Sequence, residues 1–461
     1  MYRKNHHIHF VGIGGIGMSG IAELLLNLDY KVSGSDLNTT STTTRLEELG
    51  ATVYRGHEAS WVEGASVVVT SSAIPVTNPE VVEAQERFIP VIQRAEMLAE
   101  LMRLKTFGIA VAGSHGKTST TSMLGCLLSH AGFDPTVVVG GKVDSLGGNA
   151  KLGDGDFIVA EADESDGSFL KLAPVLEIVT NIDLEHLDYY TDLDHIKETF
   201  LTFIDKVPFY GAAIVCLDDE NITSILPQVH KRVITYGLTP QSDVSASALD
   251  FRDGRVFFTV HANDEVLGEA SIAPPGKHNV YNALATIAVA LELEIPFEKI
   301  VDGLLAFDGV QRRMQQKGEA CGITVVDDYG HHPTEIRATL KAVKDAWPEK
   351  RLVVMFQPHR YSRTQALFDD FKTCFHMADE LVMTDIYAAS EEPIEGVTTE
   401  LLLAAIKEHG QKHTRFIPTV AELAPQLLGD LQEGDLVLSL GAGNIVQAGE
   451  NILQLLKRDK E

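Results

Sequence analysis

The sequence has few cysteines, no excess of positive charge and no long apolar run. Its four cysteines lie far apart without a C-x-x-C pair, which argues against a disulfide framework or zinc site and suits a reducing cytoplasm. The formal net charge of −27 lacks the basic footprint that non-specific nucleic-acid binding needs. No stretch approaches the roughly 18 apolar residues of a membrane span. We therefore expect a cytoplasmic protein with no nucleic-acid or membrane partner.

The length and composition indicate a folded protein of several domains. A chain of 461 residues is expected to form roughly two to four domains. A hydrophobic content of 44% with 22% charged residues is ordinary for a globular protein. The apolar residues near the start are interrupted by glycines between Gly12 and Gly17, so a signal peptide is not expected.

The most informative stretch is residues 111–119. An apolar run at 107–111 precedes it and a helix-compatible run at 120–128 follows. A strand, a glycine-rich turn and a helix N-terminus form a phosphate cradle, because free N–H groups and the helix dipole point at the anion. The turn matches a short G-x-x-G-K-T pattern, although Val111 stands where the full pattern has glycine. The residues expected to bind the nucleoside triphosphate are Gly113, Ser114, His115, Gly116, Lys117, Thr118 and Ser119.

Lys117 and Thr118 have distinct expected roles within this turn. Lys117 would place a positive charge beside the β- and γ-phosphates, and the Thr118 hydroxyl would bind Mg²⁺. A chance glycine turn before a helix is the structural alternative. The pattern favours use of a nucleoside triphosphate.

A second glycine turn lies near the start of the chain. The strand-like residues 8–11 lead into a G-x-G-x-x-G pattern, and Asp36 follows 19 residues after its last glycine. This spacing is typical of a dinucleotide-binding fold, in which the acid reaches a ribose hydroxyl. Ser71 opens a polar loop after another apolar strand at 66–70. The pattern indicates a phosphate-binding turn but does not establish NAD as the ligand. The glycines of this turn are Gly12, Gly14, Gly15 and Gly17.

Acidic residues follow two apolar strands of the central segment. Residues 161–166 come directly after the strand at 156–160, and residues 181–188 come after the strand at 177–180. Acids and a histidine at strand ends beside a phosphate loop suit Mg²⁺ coordination and water ordering, although solvated loops have the same composition. Further along, Asn279 and Asn282 precede a helical run, where they could cap the helix or meet an adenine edge.

The last segment repeats the strand, loop and helix order three times, at 322–334, 351–363 and 435–443. Basic side chains concentrate in the first two of these turns, where open α/β sheets bind ligands. An isolated basic residue in such a turn is usually a surface residue, but this many in two matching turns favour a shared role in anion binding. They are His331, His332, His359, Arg360 and Arg363.

Taken in order, these motifs resemble the Mur ligases from His9 to Gly443. The specific motifs are residues 9–20, 113–118, 161–166, 327–333 and 356–364. The resemblance implies an α/β protein of three domains. They are a Rossmann-like UDP-binding domain (1–104), a central P-loop ATPase-like domain (105–312) and a C-terminal Rossmann-like domain for the amino acid (313–461).

The resemblance also implies ATP-dependent amide formation on UDP-N-acetylmuramate, an early step of peptidoglycan synthesis. The lactyl carboxylate takes the γ-phosphoryl group of ATP, and the amine of L-alanine then attacks the acyl phosphate. A free carboxylate is a poor acyl donor, so it must first gain a good leaving group. Positioning and charge neutralisation carry most of the catalysis in such a phosphoryl transfer.

The resemblance assigns roles residue by residue. Lys117 lies on the phosphates, and Thr118, Glu161 and His186 hold Mg²⁺, with His186 at a second metal or acyl-phosphate position. Asn279 and Asn282 meet adenine, and the first glycine turn with Asp36 and Ser71 holds UDP. The positions implied around the amino acid and the reacting carboxylate are Tyr329, His331, Arg360 and Arg363. The expected catalytic residues are Lys117, His186, His331, Arg360 and Arg363. The oligomeric state stays open between monomer and dimer.

One departure separates branches of the family. Several Mur ligases carry a carbamylated lysine about fourteen residues after the histidine that corresponds to His186, but Phe200 stands there in this chain. This agrees with the branch that adds alanine. The alternative functions are a ligase that adds a tripeptide to the same nucleotide sugar, an NAD-dependent oxidoreductase and an NTP-driven switch. The choice among alanine, serine and glycine stays open, because such small groups differ by only about 1–3 kcal/mol in a pocket.

Overall fold

The computed structural model describes residues 6–458 apart from 144–147, 188, 253, 274 and 390, and the side chains at 16, 141–143 and 148 are likewise outside the description. Across this part of the chain, no helix has the length and apolar character needed to cross a bilayer. The chain forms two compact units. The first holds Met1–Ala248, Phe258–Ser271 and Tyr281–Val310, and the second holds Leu249–Phe257, Ile272–Val280 and Gln311–Glu461.

The first sheet is entirely parallel, with the strand order β3-β2-β1-β4-β5. Its strands are β1 (His7–Val11), β2 (Lys31–Asp36), β3 (Thr52–Arg55), β4 (Val67–Thr70) and β5 (Val91–Gln93). Its helices are α1 (Ile16–Asn27), α2 (Ser41–Glu48), α3 (Pro79–Glu86) and α4 (Arg94–Met102). Strand β1 is buried along its whole length, as expected for a central parallel strand. The chain reverses its direction of winding between β1 and β4, where doubly wound sheets bind ligands.

The second sheet has ten strands in the order β15-β14-β13-β12-β11-β10-β6-β9-β7-β8. Its strands are β6 (Phe107–Ala112), β7 (Thr136–Val143), β8 (Gly148–Lys151), β9 (Phe157–Glu161), β10 (Leu176–Val179), β11 (Ala212–Cys216), β12 (Val233–Gly237), β13 (Val244–Arg252), β14 (Arg255–Ala262) and β15 (Glu265–Ile272). The accompanying helices are α5 (Lys117–His130), α6 (Leu193–Ile204), α7 (Glu220–Ile225), α8 (Lys277–Glu292) and α9 (Phe297–Leu305). Strand β6 is parallel to β9 on one side and to β10 on the other. The phosphate turn and both acidic segments therefore leave the sheet at the same edge.

The third sheet has the order β16-β17-β21-β18-β19-β20 and is parallel except for β16. Its strands are β16 (Gln315–Ala320), β17 (Ile323–Asp328), β18 (Arg351–Phe356), β19 (Glu380–Met383), β20 (Thr414–Phe416) and β21 (Asp435–Leu440). Its helices are α10 (Pro333–Ala346), α11 (Tyr361–Ala366), α12 (Phe368–Phe371), α13 (Thr399–Glu408), α14 (Val420–Leu427) and α15 (Val446–Arg458). Apolar side chains fill both faces, with Leu340 and Phe375 on one face and Leu423 and Ile452 on the other.

The predicted α/β class is confirmed, since each of the three segments contains its own mainly parallel sheet. The predicted boundaries at 104/105 and 312/313 stay predictions, because the first sheet and most of the second fall within one compact unit. Phe200 lies on α6 and is fully buried with its ring edge-on to Phe169. Phe200 therefore forms part of the apolar core at the position where several Mur ligases carry the modified lysine.

Candidate active site

The phosphate turn lies between β6 and α5 and requires glycine at two positions. Gly113 has a φ of +130°, and a Cβ there would come within 2.0 Å of the Thr180 hydroxyl oxygen. Gly116 has a φ of +83°, and its Cβ would lie 2.6 Å from Asn282 Oδ1. A larger residue at either position would disrupt the turn, because left-handed backbone and close approach both exclude a side chain.

Residues after β10 hold the turn in shape. Asn181 Oδ1 accepts a hydrogen bond from the His115 backbone N–H at 2.8 Å, and the Thr180 hydroxyl donates to the His115 carbonyl at 2.6 Å. The His115 ring lies 3.0 Å from a carboxylate oxygen of Asp183. The Ser114 hydroxyl accepts from the Asp183 N–H at 2.8 Å. The predicted turn residues Ser114 and His115 are thus fixed from the neighbouring strand.

Lys117 lies over the turn that precedes it. Its Nζ donates to the carbonyls of Gly113 and Ser114 at 2.7 and 3.1 Å and to Glu164 Oε1 at 2.8 Å. Burial by itself lowers the pKa of this ammonium, but the carboxylates of Glu164 and Glu161 outweigh that effect and raise the pKa. Lys117 therefore stays charged at neutral pH, as neutralisation of a phosphate requires.

Thr118 and Glu161, which the family resemblance assigns to Mg²⁺, lie side by side. The Thr118 hydroxyl donates to Glu161 Oε2 at 2.9 Å, and the backbone N–H of Gly140 donates to the same oxygen at 2.7 Å. A hydroxyl and a carboxylate are hard oxygen donors of the kind that Mg²⁺ prefers. This donor set therefore fits a magnesium ion.

His186 lies beside Glu164 and Glu185, one acid from each of the two acidic segments. Its Nε2 is 3.4 Å from Glu164 Oε1 and 3.5 Å from Glu185 Oε2, and the three side chains could share a metal ion. Its backbone has a φ of +54°, which is uncommon outside glycine. Burial alone lowers the His186 pKa, but the hydrogen bond and charge of Glu164 raise it overall. The assignment of His186 to a metal stays a prediction, and its described contacts add Glu164 and Glu185 as further donors.

The two asparagines of α8 differ in their surroundings. Asn282 Oδ1 accepts from the buried Thr120 hydroxyl at 3.2 Å, which places it against the first turn of α5. Asn279 Nδ2 donates to the Pro275 carbonyl at 3.3 Å within its own helix start. Asn282 thus lies beside the phosphate turn, while the described contact of Asn279 is local to the start of its own helix.

In the first sheet, Asp36 binds the glycine turn. Its Oδ2 accepts from the Gly14 N–H at 2.9 Å, and its Oδ1 accepts from the Asn38 N–H at 3.0 Å. Gly12 has a φ of +80°, and a Cβ there would touch Ile74 in the loop that Ser71 opens. Gly15 is exposed and begins α1 without a side-chain cap. The predicted UDP-binding residues thus lie at one edge of this sheet.

In the third sheet, Tyr329 is held between two arginines. The guanidinium carbons of Arg312 and Arg313 lie 5.0 and 5.1 Å from its ring centre. Its ring is also edge-on to His331, with centroids 5.5 Å apart. Asp328, one residue earlier, is buried and accepts from the backbone N–H of Met314 at 2.8 Å. These contacts fix the end of β17, where Tyr329 and His331 were predicted to bind substrate.

The basic residues of the third sheet divide into three groups. His331 and His359 are close, with ring centroids 5.8 Å apart, and Arg363 Nη1 lies 3.2 Å from His359 Nδ1. Arg360 is exposed, with Nη1 3.9 Å from Glu391. His332 caps α10 by accepting from the Thr334 N–H at 3.3 Å. The grouping of His332 with the anion-binding residues stays a prediction, and its described hydrogen bond is the helix cap.

Burial keeps two of these histidines uncharged. It is the largest influence on His331, whose pKa falls to about 3, and on His359, whose pKa falls to about 4. Nearby Arg363 lowers both pKa values further. The His359 ring also stacks on Tyr387, with centroids 5.6 Å apart and an angle of 9°. Tyr387 was missed, although its position after β19 follows the rule that identified the other turns.

The three sheets match three family descriptions in chain order. Residues 7–106 match "Mur ligase family, catalytic domain", residues 111–290 match "Mur ligase middle domain", and residues 312–443 match "Mur ligase, glutamate ligase domain". The UDP-N-acetylmuramate–L-alanine ligase of Desulfotalea psychrophila is 75% identical over 459 residues, covering 100% of each chain. The enzyme of the same name from Geobacter sulfurreducens is 59% identical over 462 residues, again covering 100% of each chain.

Solved structures are similar over nearly the same length. The crystal structure of UDP-N-acetylmuramate-alanine ligase from Thermotoga maritima has a TM-score of 0.83 at 29% identity, covering 98% of this chain and 99% of that one. A murein peptide ligase from Psychrobacter arcticus has a TM-score of 0.70 at 25% identity, with the same coverage. All three sheets are therefore included in the similarity. The chain belongs to the Mur ligase family.

Proposed function

We propose that this protein joins L-alanine to the lactyl carboxylate of UDP-N-acetylmuramate, with hydrolysis of ATP to ADP and phosphate. The observation that carries this proposal is the charged Lys117 beside the Thr118–Glu161 pair, in a phosphate turn at the centre of a parallel sheet. The full-length relatives that carry this activity in their names support the choice of substrates.

Lys117 would act in the first chemical step, in which a lactyl carboxylate oxygen attacks the γ-phosphorus of ATP and ADP leaves. Negative charge on the transferring group must be neutralised, and a fixed ammonium does this without rearrangement. Thr118 and Glu161 would hold Mg²⁺, with His186, Glu164 and Glu185 as a second group of donors. Mg²⁺ bound there would supply further charge neutralisation of the phosphate oxygens.

In the second step, the amine of L-alanine would attack the acyl carbon and release phosphate. Tyr329, His331, Arg360 and Arg363 are the residues that we assign to the amino acid and the reacting carboxylate. The low pKa of His331 leaves its ring neutral, so it would not repel the ammonium of the incoming amino acid. Arginine suits a carboxylate because it can donate two parallel hydrogen bonds.

The remaining assignments concern the two nucleotides. We assign UDP to the first glycine turn with Asp36 and Ser71, and adenine to Asn279 and Asn282. The side chain of Asn282 contacts the phosphate-turn helix through Thr120, which supports a place beside ATP. We place the reaction in the cytoplasm, where ATP and nucleotide sugars are available, as a step of peptidoglycan precursor synthesis.

A phosphate-release assay with UDP-N-acetylmuramate and ATP tests this function. We expect release to depend on a single free amino acid, with alanine, serine and glycine compared at equal concentrations. Release that required an L-alanyl tripeptide would indicate the peptide-adding activity named for the Psychrobacter arcticus neighbour. Reduction of NAD without phosphate release would indicate an oxidoreductase and refute the proposal.

A further inference from the structure

Arg94 connects the first glycine turn with the acidic segment after β9. It begins α4 directly after β5, at the carboxyl edge of the first sheet where ligands bind. Its Nη2 donates to Asp163 Oδ2 at 2.7 Å. Asp163 lies between Glu161 and Glu164, which contact Thr118 and Lys117 respectively. The Arg94–Asp163 ion pair therefore connects the helix beside the proposed UDP turn with the segment that carries Glu161 and Glu164.

The guanidinium of Arg94 also lies directly on Gly17 in the first turn of α1. A Cβ at Gly17 would be 3.0 Å from Arg94 Cδ and 3.0 Å from Nη1. The first turn of a helix leaves N–H groups without intrahelical acceptors. Helix α1 has neither a side-chain cap at Gly15 nor an acidic residue in this turn. Arg94 therefore adds a positive charge to N–H groups that already favour an anion.

Asp163 accepts a hydrogen bond from Arg94 but occupies only part of the guanidinium's donor capacity. Its Oδ1 accepts from the Ser165 N–H at 3.1 Å, so only Oδ2 contacts the guanidinium. Over the described residues, Asp163 is the hydrogen-bond partner recorded for this guanidinium. A guanidinium has five N–H donors, and those on Nη1 are the ones beside Gly17. The donors that face the glycine turn are thus available to a ligand.

We propose that Arg94 binds an anionic oxygen of the nucleotide-sugar substrate, with Asp163 fixing the guanidinium in the required orientation. This assignment rests on the proposed function, which places UDP at the glycine turn. The anion is either the diphosphate, which would lie on the first turn of α1, or the lactyl carboxylate, which must reach the phosphoryl-transfer residues. Arginine can engage either group with two N–H donors, whereas lysine offers a compact charge.

The test compares binding of three nucleotides by calorimetry, with ATP absent. The ligands are UDP-N-acetylmuramate, UDP-N-acetylglucosamine, which lacks the lactyl group, and UDP, which lacks the sugar. Arg94→Ala should raise the Kd for UDP-N-acetylmuramate by about tenfold or more, because a charged hydrogen bond is lost. Equal weakening of all three ligands identifies the diphosphate as the bound group. Weakening confined to UDP-N-acetylmuramate identifies the lactyl carboxylate.

Lys171→Ala is the matched control. Lys171 pairs with Glu96 at 3.2 Å and so joins the same two segments, α4 and the region after β9, without touching the glycine turn. It should bind all three nucleotides as the parent does. Equal weakening in Lys171→Ala and Arg94→Ala would show that the effect comes from joining the segments, and would overturn the proposal.

Arg94→Lys keeps the positive charge and provides a second test in case the alanine variant does not fold. It should raise KM for UDP-N-acetylmuramate while leaving KM for ATP and the melting temperature close to those of the parent. Parent-like nucleotide affinity in both Arg94 variants would overturn the role of Arg94 and leave the proposed function intact. A parent protein that bound none of the three nucleotides would instead refute the proposed function, and this assignment with it.

Discussion

The ammonium of Lys117 and the carboxylate of Glu164 form an ion pair 2.8 Å long beside the phosphate turn. Glu164 is 2% exposed, and the same oxygen lies 3.4 Å from His186. Its second oxygen has no hydrogen-bond partner among the described residues. Glu164 thus links the lysine of the turn with the histidine after β10 and raises the pKa of both.

Glu164→Gln should lower kcat while leaving the affinity for UDP-N-acetylmuramate close to that of the parent. The neutral amide cannot stabilise the two cations, so the pKa of His186 should fall from its raised value. Steady-state kinetics and the NMR titration of His186 measure the two effects. Glu198→Gln, on the exposed face of α6, is the control. An unchanged His186 titration would contradict the pairing.

Lys117→Ala should abolish ligation and leave binding of UDP-N-acetylmuramate largely intact. The lysine begins α5 directly after the phosphate turn of the second sheet, whereas the glycine turn assigned to UDP follows β1 of the first sheet. Loss of a group that neutralises transition-state charge lowers kcat by about 100-fold or more. Phosphate release and calorimetry give the two readouts. Lys151→Ala removes a partly exposed lysine from the same sheet and should keep its activity. Near-normal turnover in Lys117→Ala would refute the role of the phosphate turn.

Arg360→Ala and Arg363→Ala should each lower kcat/KM for ligation. Charge at these positions matters most as the acyl phosphate and the tetrahedral species form. Arg363→Ala should also raise the pKa of His359, because the arginine helps to lower it. Arg415→Ala, whose side chain pairs with Asp430 on the surface, is the control. Parent-like kinetics in both single variants would show that the substrate carboxylate binds elsewhere.

Acid should destabilise the protein partly through His331. Its folded pKa of about 3 lies below the ordinary value of 6.5, so the unfolded chain binds the proton more readily. Stability from the neutral ring is present above pH 6.5 and is lost as the pH falls toward 3, by at most about 1.4 kcal/mol per pH unit. His331→Gln should show a shallower decline in unfolding free energy over this range. Equal slopes in urea titrations of the two proteins would contradict this prediction.

Activity should not depend on carbon dioxide. A lysine carbamate forms reversibly from a neutral amine and CO₂, and the buried Phe200 cannot carry one. Turnover in CO₂-depleted buffer should therefore equal turnover with added bicarbonate at matched pH and ionic strength. A rise with bicarbonate would mean that a lysine elsewhere in the chain is modified.

Local motifs were sufficient to predict the three sheets and the turns that follow their strands. The family resemblance placed Thr118 and Glu161 on one metal ion, and their proximity fits this because Glu161 ends β9 and Thr118 follows the turn after the neighbouring strand β6. The Arg94–Asp163 contact could not be predicted this way, since 69 residues separate its partners and Arg94 lies outside the recognised motifs. The sequence also could not show which acids of 161–166 face inward, because spacing alone does not give side-chain direction in a turn. The sequence alone could not distinguish a helix cap from an anion ligand at His332, because both roles suit a histidine directly before Pro333.

The most direct test of the central claim follows one oxygen atom. UDP-N-acetylmuramate is prepared with a heavy oxygen isotope in its lactyl carboxylate and incubated with the protein, ATP and L-alanine. If the carboxylate attacks the γ-phosphorus and the amine then displaces phosphate, one labelled oxygen leaves in each phosphate, as mass spectrometry would detect. Unlabelled phosphate, with the lost labelled oxygen found in AMP or in water, would contradict the acyl-phosphate route and the role assigned to the phosphate turn.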